Sequence, residues 1–505
     1  MPLKTKKFAI LTILALAGLM VPFYLSADER SSFLIINAKI IDGSGGPSRF
    51  ESVRVNGNQI QELGQLKPLS GETTVDAAGL ILSPGFIDTH SHMDNHIFEM
   101  PDALSAVSQG ITTIVVGMDG GSEVPLSNFF RKLENNPVAI NIAAYSGHNS
   151  LRSITMGKDY KRPSTEMEIR SMEDLLKQDM EDGALGLSTG LEYDPGLYSE
   201  TDEIVDLLKI VSDYKGRYTS HMRSEDIYLE AALDEFIEIS RRTKLPSQIS
   251  HIKLAKRSLW GQSPWMIDKL NRARAEGLDI TADVYPYTFY ESTMRILFAK
   301  RDFDNRESAE YALTELVYPD GLTISHYGPD PSLIGKTIAE IAAARGKDPA
   351  TVLMDLIRED EDRTDSAIGV AMSQPDVNRL MQWEHSNICS DGELIDGHPR
   401  GRGAFARILA YYVRSQGILD LETAIHKMTQ LSALHMGFKN RGVIKSGAIA
   451  DLVLFDPERI QDNATMEDIN RLSSGISKVW VGGELVYSEK KSTGLRSGKI
   501  IRRDD

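Results

Sequence analysis

The chain has 505 residues, 41% hydrophobic and 25% charged, with a formal net charge of −16. That is enough apolar material for a large core and more than one domain, while the acidic balance argues against non-specific nucleic-acid binding, which needs basic patches. Cys389 is the single cysteine, so an intramolecular disulfide and an all-thiolate metal site are both excluded.

Lys4, Lys6 and Lys7 stand before a nearly unbroken apolar run, Phe8 to Val21, and Leu25-Ser26-Ala27 offers a signal peptidase site. The expectation is a signal peptide over 1–27 and an exported protein, periplasmic or secreted, with no stable membrane insertion after cleavage. An uncleaved N-terminal anchor is the alternative. No cysteine follows the run, which excludes a lipoprotein.

Leu34-Ile35-Ile36, Ile40-Ile41 and Val53-Arg54-Val55 read as short strands, the last running into the hairpin signal Asn56-Gly57. Matching strand-like stretches lie near the other end: Asp451 to Phe455, Val479 to Val481 and Glu484 to Tyr487. Neither end holds enough strands for a core alone. Residues 28–84 and 440–505 are therefore expected to form one small β-sandwich domain. The basic residues from Lys490 to Arg503 read as a short solvated end.

The middle alternates. Ile204, Leu207, Leu208 and Val211 recur at helical spacing behind Thr201, an apparent N-cap. Arg217 to His221 reads as a strand, Tyr228 to Lys244 as a helix and Pro246 to His251 as a strand. Pro264 to Gly277 reads as a helix with proline at its start, and Leu278 to Tyr285 as a strand. His221, His251 and Asp283 end successive strands, 30 and 32 residues apart, about one βα unit each. The class is α/β. Residues 85–439 suit a (β/α)8 barrel with an insertion at about 290–350. A doubly wound sheet is the competitor, but no Gly-x-Gly-x-x-Gly follows a first strand.

Active-site residues of such barrels sit at the C-terminal ends of different strands. The stretch Gly85 to His92 ends the first strand in His90-x-His92, and on a strand both side chains point the same way. Two imidazoles on one face can grip one cation such as zinc. A lone His-x-His is more often solvated. Here Asp119 follows a β-branched run, His221 and His251 end two neighbouring strands, and Asp391 follows a late one. Four histidines and two aspartates at strand ends make a one- or two-metal hydrolase site.

Pro84 to His92 resembles the opening motif of the amidohydrolase superfamily. Gly183 to Leu191, Ser220 to Glu225, Ser250 to Lys253, Tyr285-Pro286-Tyr287, Ser390-Asp391-Gly392 and His398 to Gly401 are similar to the N-acyl-D-amino-acid deacylase (D-aminoacylase) family. The resemblance covers about residues 33 to 487. It implies a tightly bound zinc at His221 and His251, a second metal position at His90 and His92 near Asp391, and Asp391 as general base. It also implies that Tyr193, Lys253, Tyr285 and Ser292 contact substrate. Arg400 or Lys253 would hold its carboxylate. His148 lies in another family motif without an assigned role. Where these deacylases characteristically carry cysteine in Gly-Asn-Cys-Gly, this chain has Gly117-Met118-Asp119-Gly120. A carboxylate can still ligate zinc, and it can bridge two ions.

The implied reaction is zinc-dependent hydrolysis of the amide bond of an N-acyl-D-amino acid, a small-molecule substrate, giving a carboxylic acid and a D-amino acid. The alternatives are a dipeptidase for peptides with a C-terminal D-residue and a hydantoinase-like hydrolase of cyclic amides. The latter enzymes use a carboxylated lysine between two metals, where this chain has Asp119.

Overall fold

A computed structural model describes residues 32–395 and 397–505, so the expected signal peptide lies outside the described residues. Among the described residues, no helix is long and apolar enough to cross a membrane.

Eight parallel strands form the barrel: β1 (Phe86–Asp88), β2 (Ile111–Val116), β3 (Asn141–Ala144), β4 (Gly186–Gly190), β5 (Arg217–His221), β6 (Ser247–Ile249), β7 (Ile280–Val284) and β8 (Ser386–Ile388). β3 continues through Ser146–Gly147, which pairs with Leu187 and Ser188 of β4. The ring closes where the Asp391 N–H donates to the His90 carbonyl at 2.9 Å and the His92 N–H to that of Gly392 at 3.0 Å. Nearly all strand residues are buried, polar ones included, as expected of a parallel sheet covered on both faces.

Helices return the chain between strands. Glu166–Asp182 starts at Thr165, whose hydroxyl accepts from the Glu168 N–H while the Glu168 carboxylate reaches back, and stops at Gly183 with φ 108°. Thr201 is the first residue of its helix instead of the cap, and its hydroxyl donates to Glu235. Pro264 sits in the first turn of Ser263–Ala275, where its missing N–H is harmless.

The two chain ends build one nine-stranded sheet. They join where Ile81–Pro84 pairs antiparallel with Leu452–Phe455. Asn56-Gly57 lies in the hairpin between Arg49–Asn56 and Gln59–Gly64, with Gly57 at φ 59°.

Between β7 and β8 the chain leaves the barrel. Phe289–Ser292, Leu322–His326 and Ser366–Val370 form a three-stranded antiparallel sheet, so the excursion reaches beyond residue 350. It has its own apolar core, including Leu313, Leu316, Ile341, Leu353 and Leu356.

The basic tail is not a solvated end. The Ile142 N–H donates to the Lys499 carbonyl at 2.9 Å, the Ile501 N–H to that of Ile142 at 2.8 Å, and Arg503 donates to the carbonyls of Met180 and Ala184. The reason is local. β4 pairs with Ser146–Gly147 and leaves the Ile142 backbone groups unmatched on that side, and the tail satisfies them.

Candidate metal centre

Strand ends carry the chemistry. His90 and His92 follow β1, Asp119 follows β2, His221 closes β5, His251 follows β6 and Asp391 follows β8. Asp119, His251 and Asp391 have φ of 53°, 35° and 51°. L-residues adopt this left-handed turn at a cost of order 1 kcal/mol each. Outliers at three strand ends that share one centre mark it as functional.

The Nε2 atoms of His90 and His92 are 3.4 Å apart, and Oδ1 of Asp391 lies 3.3 Å from each. On the other side, Nδ1 of His221 and Nε2 of His251 are 3.0 Å apart. Asp119 stands between the pairs. Its Oδ1 is 3.4 Å from Nε2 of both His90 and His251, and its Oδ2 is 3.5 Å from His92 and 3.9 Å from His221. Two overlapping donor sets result, His90–His92–Asp119–Asp391 and Asp119–His221–His251, sharing Asp119.

The donors fit a divalent cation. Oδ1 of Asp119 is buried without a hydrogen-bond partner among the described residues. Burial would raise the Asp119 carboxyl, but His90 and His251 hold it well below the usual carboxylate range. Burial would likewise raise Asp391, and Arg400 and His251 hold it well below that range. Both therefore carry charge at neutral pH.

The site opens into a cavity of about 1150 Å³ lined by His92, Asp119, Tyr193, Ser292, Asp391 and Arg400. The Tyr193 ring lies against His221, tilted by 46° with centroids 4.4 Å apart, and Ser292 lines the same cavity. Ser292 comes from the first strand of the excursion, so that unit forms a wall of the cavity.

Other expected substrate contacts are engaged within the protein. Lys253 Nζ bonds both Glu225 carboxylate oxygens at 2.7 Å and lies 2.7 Å from Nδ1 of His251. Arg400 Nη1 donates to Oδ2 of Asp391 at 2.5 Å. The buried Tyr285 ring has Lys253 and Arg400 over its face at 5.6 and 5.3 Å, and its hydroxyl points at the Met372 sulfur.

His148 is not in the centre. It opens a helix behind β3 and bonds Glu203 at 2.7 Å beside Arg152. Asp283 lies beneath the centre, where it accepts from the His251 N–H and from Gln248. It therefore holds the His251 backbone.

Sequence reasoning passed over three carboxylates. Glu192 lies 2.9 Å from Nε2 of His221, which leaves Nδ1 for the shared centre. Glu225, four residues after His221, neutralises Lys253. Asp88 accepts from both the N–H and the hydroxyl of Ser390 and so ties β1 to β8. Glu225 lies within a motif read from the sequence. Glu192 has no local signal, because only folding brings it to His221.

With this geometry in view, comparisons identify relatives. Residues 73–286 and 268–487 match the Amidohydrolase family. The chain is 34% identical to a D-aminoacylase of Alcaligenes xylosoxydans xylosoxydans over 95% of its length and 99% of the relative's. A crystal structure of N-acyl-D-glutamate deacylase from Bordetella bronchiseptica, complexed with zinc and a phosphonate inhibitor that mimics the tetrahedral intermediate, superposes with TM-score 0.84. It shares 34% identity, covering 94% of this chain and 100% of that one. A D-aminoacylase structure concerned with its binuclear metal centre, described as one-metal activation and second-metal attenuation, gives TM-score 0.83 at 33% identity, over 93% of this chain and 99% of that one. Barrel, donor set and near full-length similarity agree, and this chain belongs to the amidohydrolase family, alongside the D-aminoacylases.

Proposed function

We propose that the chain hydrolyses the amide bond of N-acyl-D-amino acids, using zinc and releasing a carboxylic acid and a D-amino acid. The observation that carries this reading is Asp119 placed between two imidazole pairs with Asp391 beside one of them, at the mouth of the cavity. Relatives of nearly full length act on this substrate class.

His221, His251 and Asp119 would hold one ion, and His90, His92, Asp119 and Asp391 would supply a second position. Zinc bound there supplies a Lewis acid for the amide carbonyl and makes water acidic enough to attack near neutral pH. Asp391, charged and aimed at this centre, takes the proton of the attacking water and returns it to the leaving nitrogen. Arg400 keeps Asp391 ionised and oriented. Tyr193 and Ser292 position the substrate from the wall opposite. Asp119 stands between the two imidazole pairs, where a bridging carboxylate is supplied by the protein itself, and Lys253 is committed to Glu225. This favours a linear amide.

Export is part of the proposal, supported by the lysines and apolar run before residue 22. N-terminal sequencing of protein from its host's envelope or secreted fraction should start near Asp28. Full-length protein in the cytosol would overturn this part.

The test of the metal reading is reconstitution. Chelated protein should be inactive on N-acetyl-D-amino acids and regain turnover with zinc. Full turnover by metal-free protein would refute it.

A further inference from the structure

The excursion wall and the arginine that holds the general base belong to different parts of the chain, yet one fully buried side chain bonds the backbone of both. His398 is 0% exposed. Its Nδ1 accepts the backbone N–H of Arg400 at 3.0 Å, and its Nε2 donates to the Phe289 carbonyl at 3.0 Å. Each nitrogen faces a fixed backbone group of opposite kind. The ring is thereby held as the neutral tautomer with hydrogen on Nε2. Burial and the nearby Arg400 charge agree, pushing His398 down to about 3.

Packing fixes the ring further. It stacks on Phe289, centroids 4.5 Å apart at 27°, and stands edge-on to Tyr287 at 5.1 Å. Phe289 begins the strand that ends in Ser292, on the cavity wall. Arg400 begins the helix Arg400–Arg407 and sends its guanidinium to Asp391. The two ring nitrogens of one imidazole therefore hold the backbone that leads to a substrate contact and the backbone of the partner of the base.

We propose that His398 is a positioning residue for the reaction, registering the Arg400–Asp391 pair through Nδ1 and the Ser292 wall through Nε2. The inference rests on the reading of Asp391 as base. It assigns separable consequences to the two nitrogens, which a purely structural histidine would not have.

Two substitutions separate them. In His398→Asn the amide oxygen replaces Nδ1 and can still accept the Arg400 N–H, while nothing reaches Phe289. In His398→Gln the amide lies near Nε2 and can still donate to Phe289, while the Arg400 N–H loses its acceptor. Both lose the stacked ring, so both should melt at similarly reduced temperature with zinc content retained. Turnover of an N-acetyl-D-amino acid should split. His398→Asn should raise KM about tenfold and keep kcat within about threefold. His398→Gln should lower kcat about tenfold and change KM little, a tenfold change corresponding to about 1.4 kcal/mol. Equal effects of the two variants on kcat and on KM would overturn the proposal, as would unchanged kinetics in both. Absence of turnover in the unsubstituted protein is a different result and removes the assigned reaction itself.

Discussion

Arg400 donates to Oδ2 of Asp391 at 2.5 Å, while Oδ1 of the same carboxylate stands 3.3 Å from Nε2 of His90 and of His92. One oxygen is thus fixed by a cation of the protein and the other is turned to the metal position. A carboxylate so divided has an orientation and a charge before substrate arrives, which lowers the reorganisation needed in the transition state. Asp391→Asn keeps the volume and removes the base. Turnover should fall by about 100-fold or more, with substrate binding retained. Near-normal turnover in that variant would place the base elsewhere.

Asp119 is the only side chain common to the two donor sets among the described residues. Removing it should therefore affect both. Asp119→Ala is expected to carry less zinc at each position, measured by elemental analysis after gel filtration. Asp119→Cys should keep zinc at His221 and His251, since thiolate is an accepted zinc ligand. An Asp119→Ala protein with unaltered metal content would remove Asp119 from the ligand set.

Much of this site was legible in the sequence because barrel geometry turns strand ends into neighbours. His90, His92, His221, His251 and Asp391 each follow or close a recognisable strand, and the fold does the rest. Partners that depend on loop paths were not legible. Lys253 appears as a free cation in sequence, and only the turn after His221 brings Glu225 to neutralise it. Arg400 lies nine residues after Asp391, with nothing in the spacing to show that it folds back onto that carboxylate. The tail from Lys490 to Arg503 looked solvated because it is short and basic. What holds it is the unmatched backbone of Ile142, a feature of pairing instead of composition.

That tail gives a prediction about stability. Deleting residues 498–505 exposes the Ile142 N–H and carbonyl and removes the Arg503 contacts. At about 1 kcal/mol for each lost hydrogen bond, the two at Ile142 and the two from Arg503 to Met180 and Ala184 come to about 4 kcal/mol. The truncated protein should melt earlier, with faster amide exchange at Ile142. Unchanged exchange there would show that the tail is dispensable.

The buried group of His148, Arg152 and Glu203 predicts an acid-sensitive element away from the centre. Burial would raise Glu203, yet His148 and Arg152 bring it down to about 2 from an ordinary 4.5. Its folded value lies below its unfolded one, so its contribution is complete above pH 4.5 and is lost as pH falls towards 2. Glu203→Gln should destabilise at neutral pH by about 3 kcal/mol, because Arg152 is left buried without its carboxylate. The gap between the two proteins should narrow in acid, followed by thermal melting from pH 6 to 3. A gap that widens in acid would contradict the assignment.

The central claim is that these donors serve hydrolysis of N-acyl-D-amino acids. The most direct measurement is release of free amino acid by the zinc-loaded protein from matched N-acetyl-D- and N-acetyl-L-amino acids, resolved on a chiral column. Release from the D-series is expected, abolished by chelation and by His221→Ala. Release from the L-series alone, or turnover of the D-series undiminished in chelated protein, would contradict it.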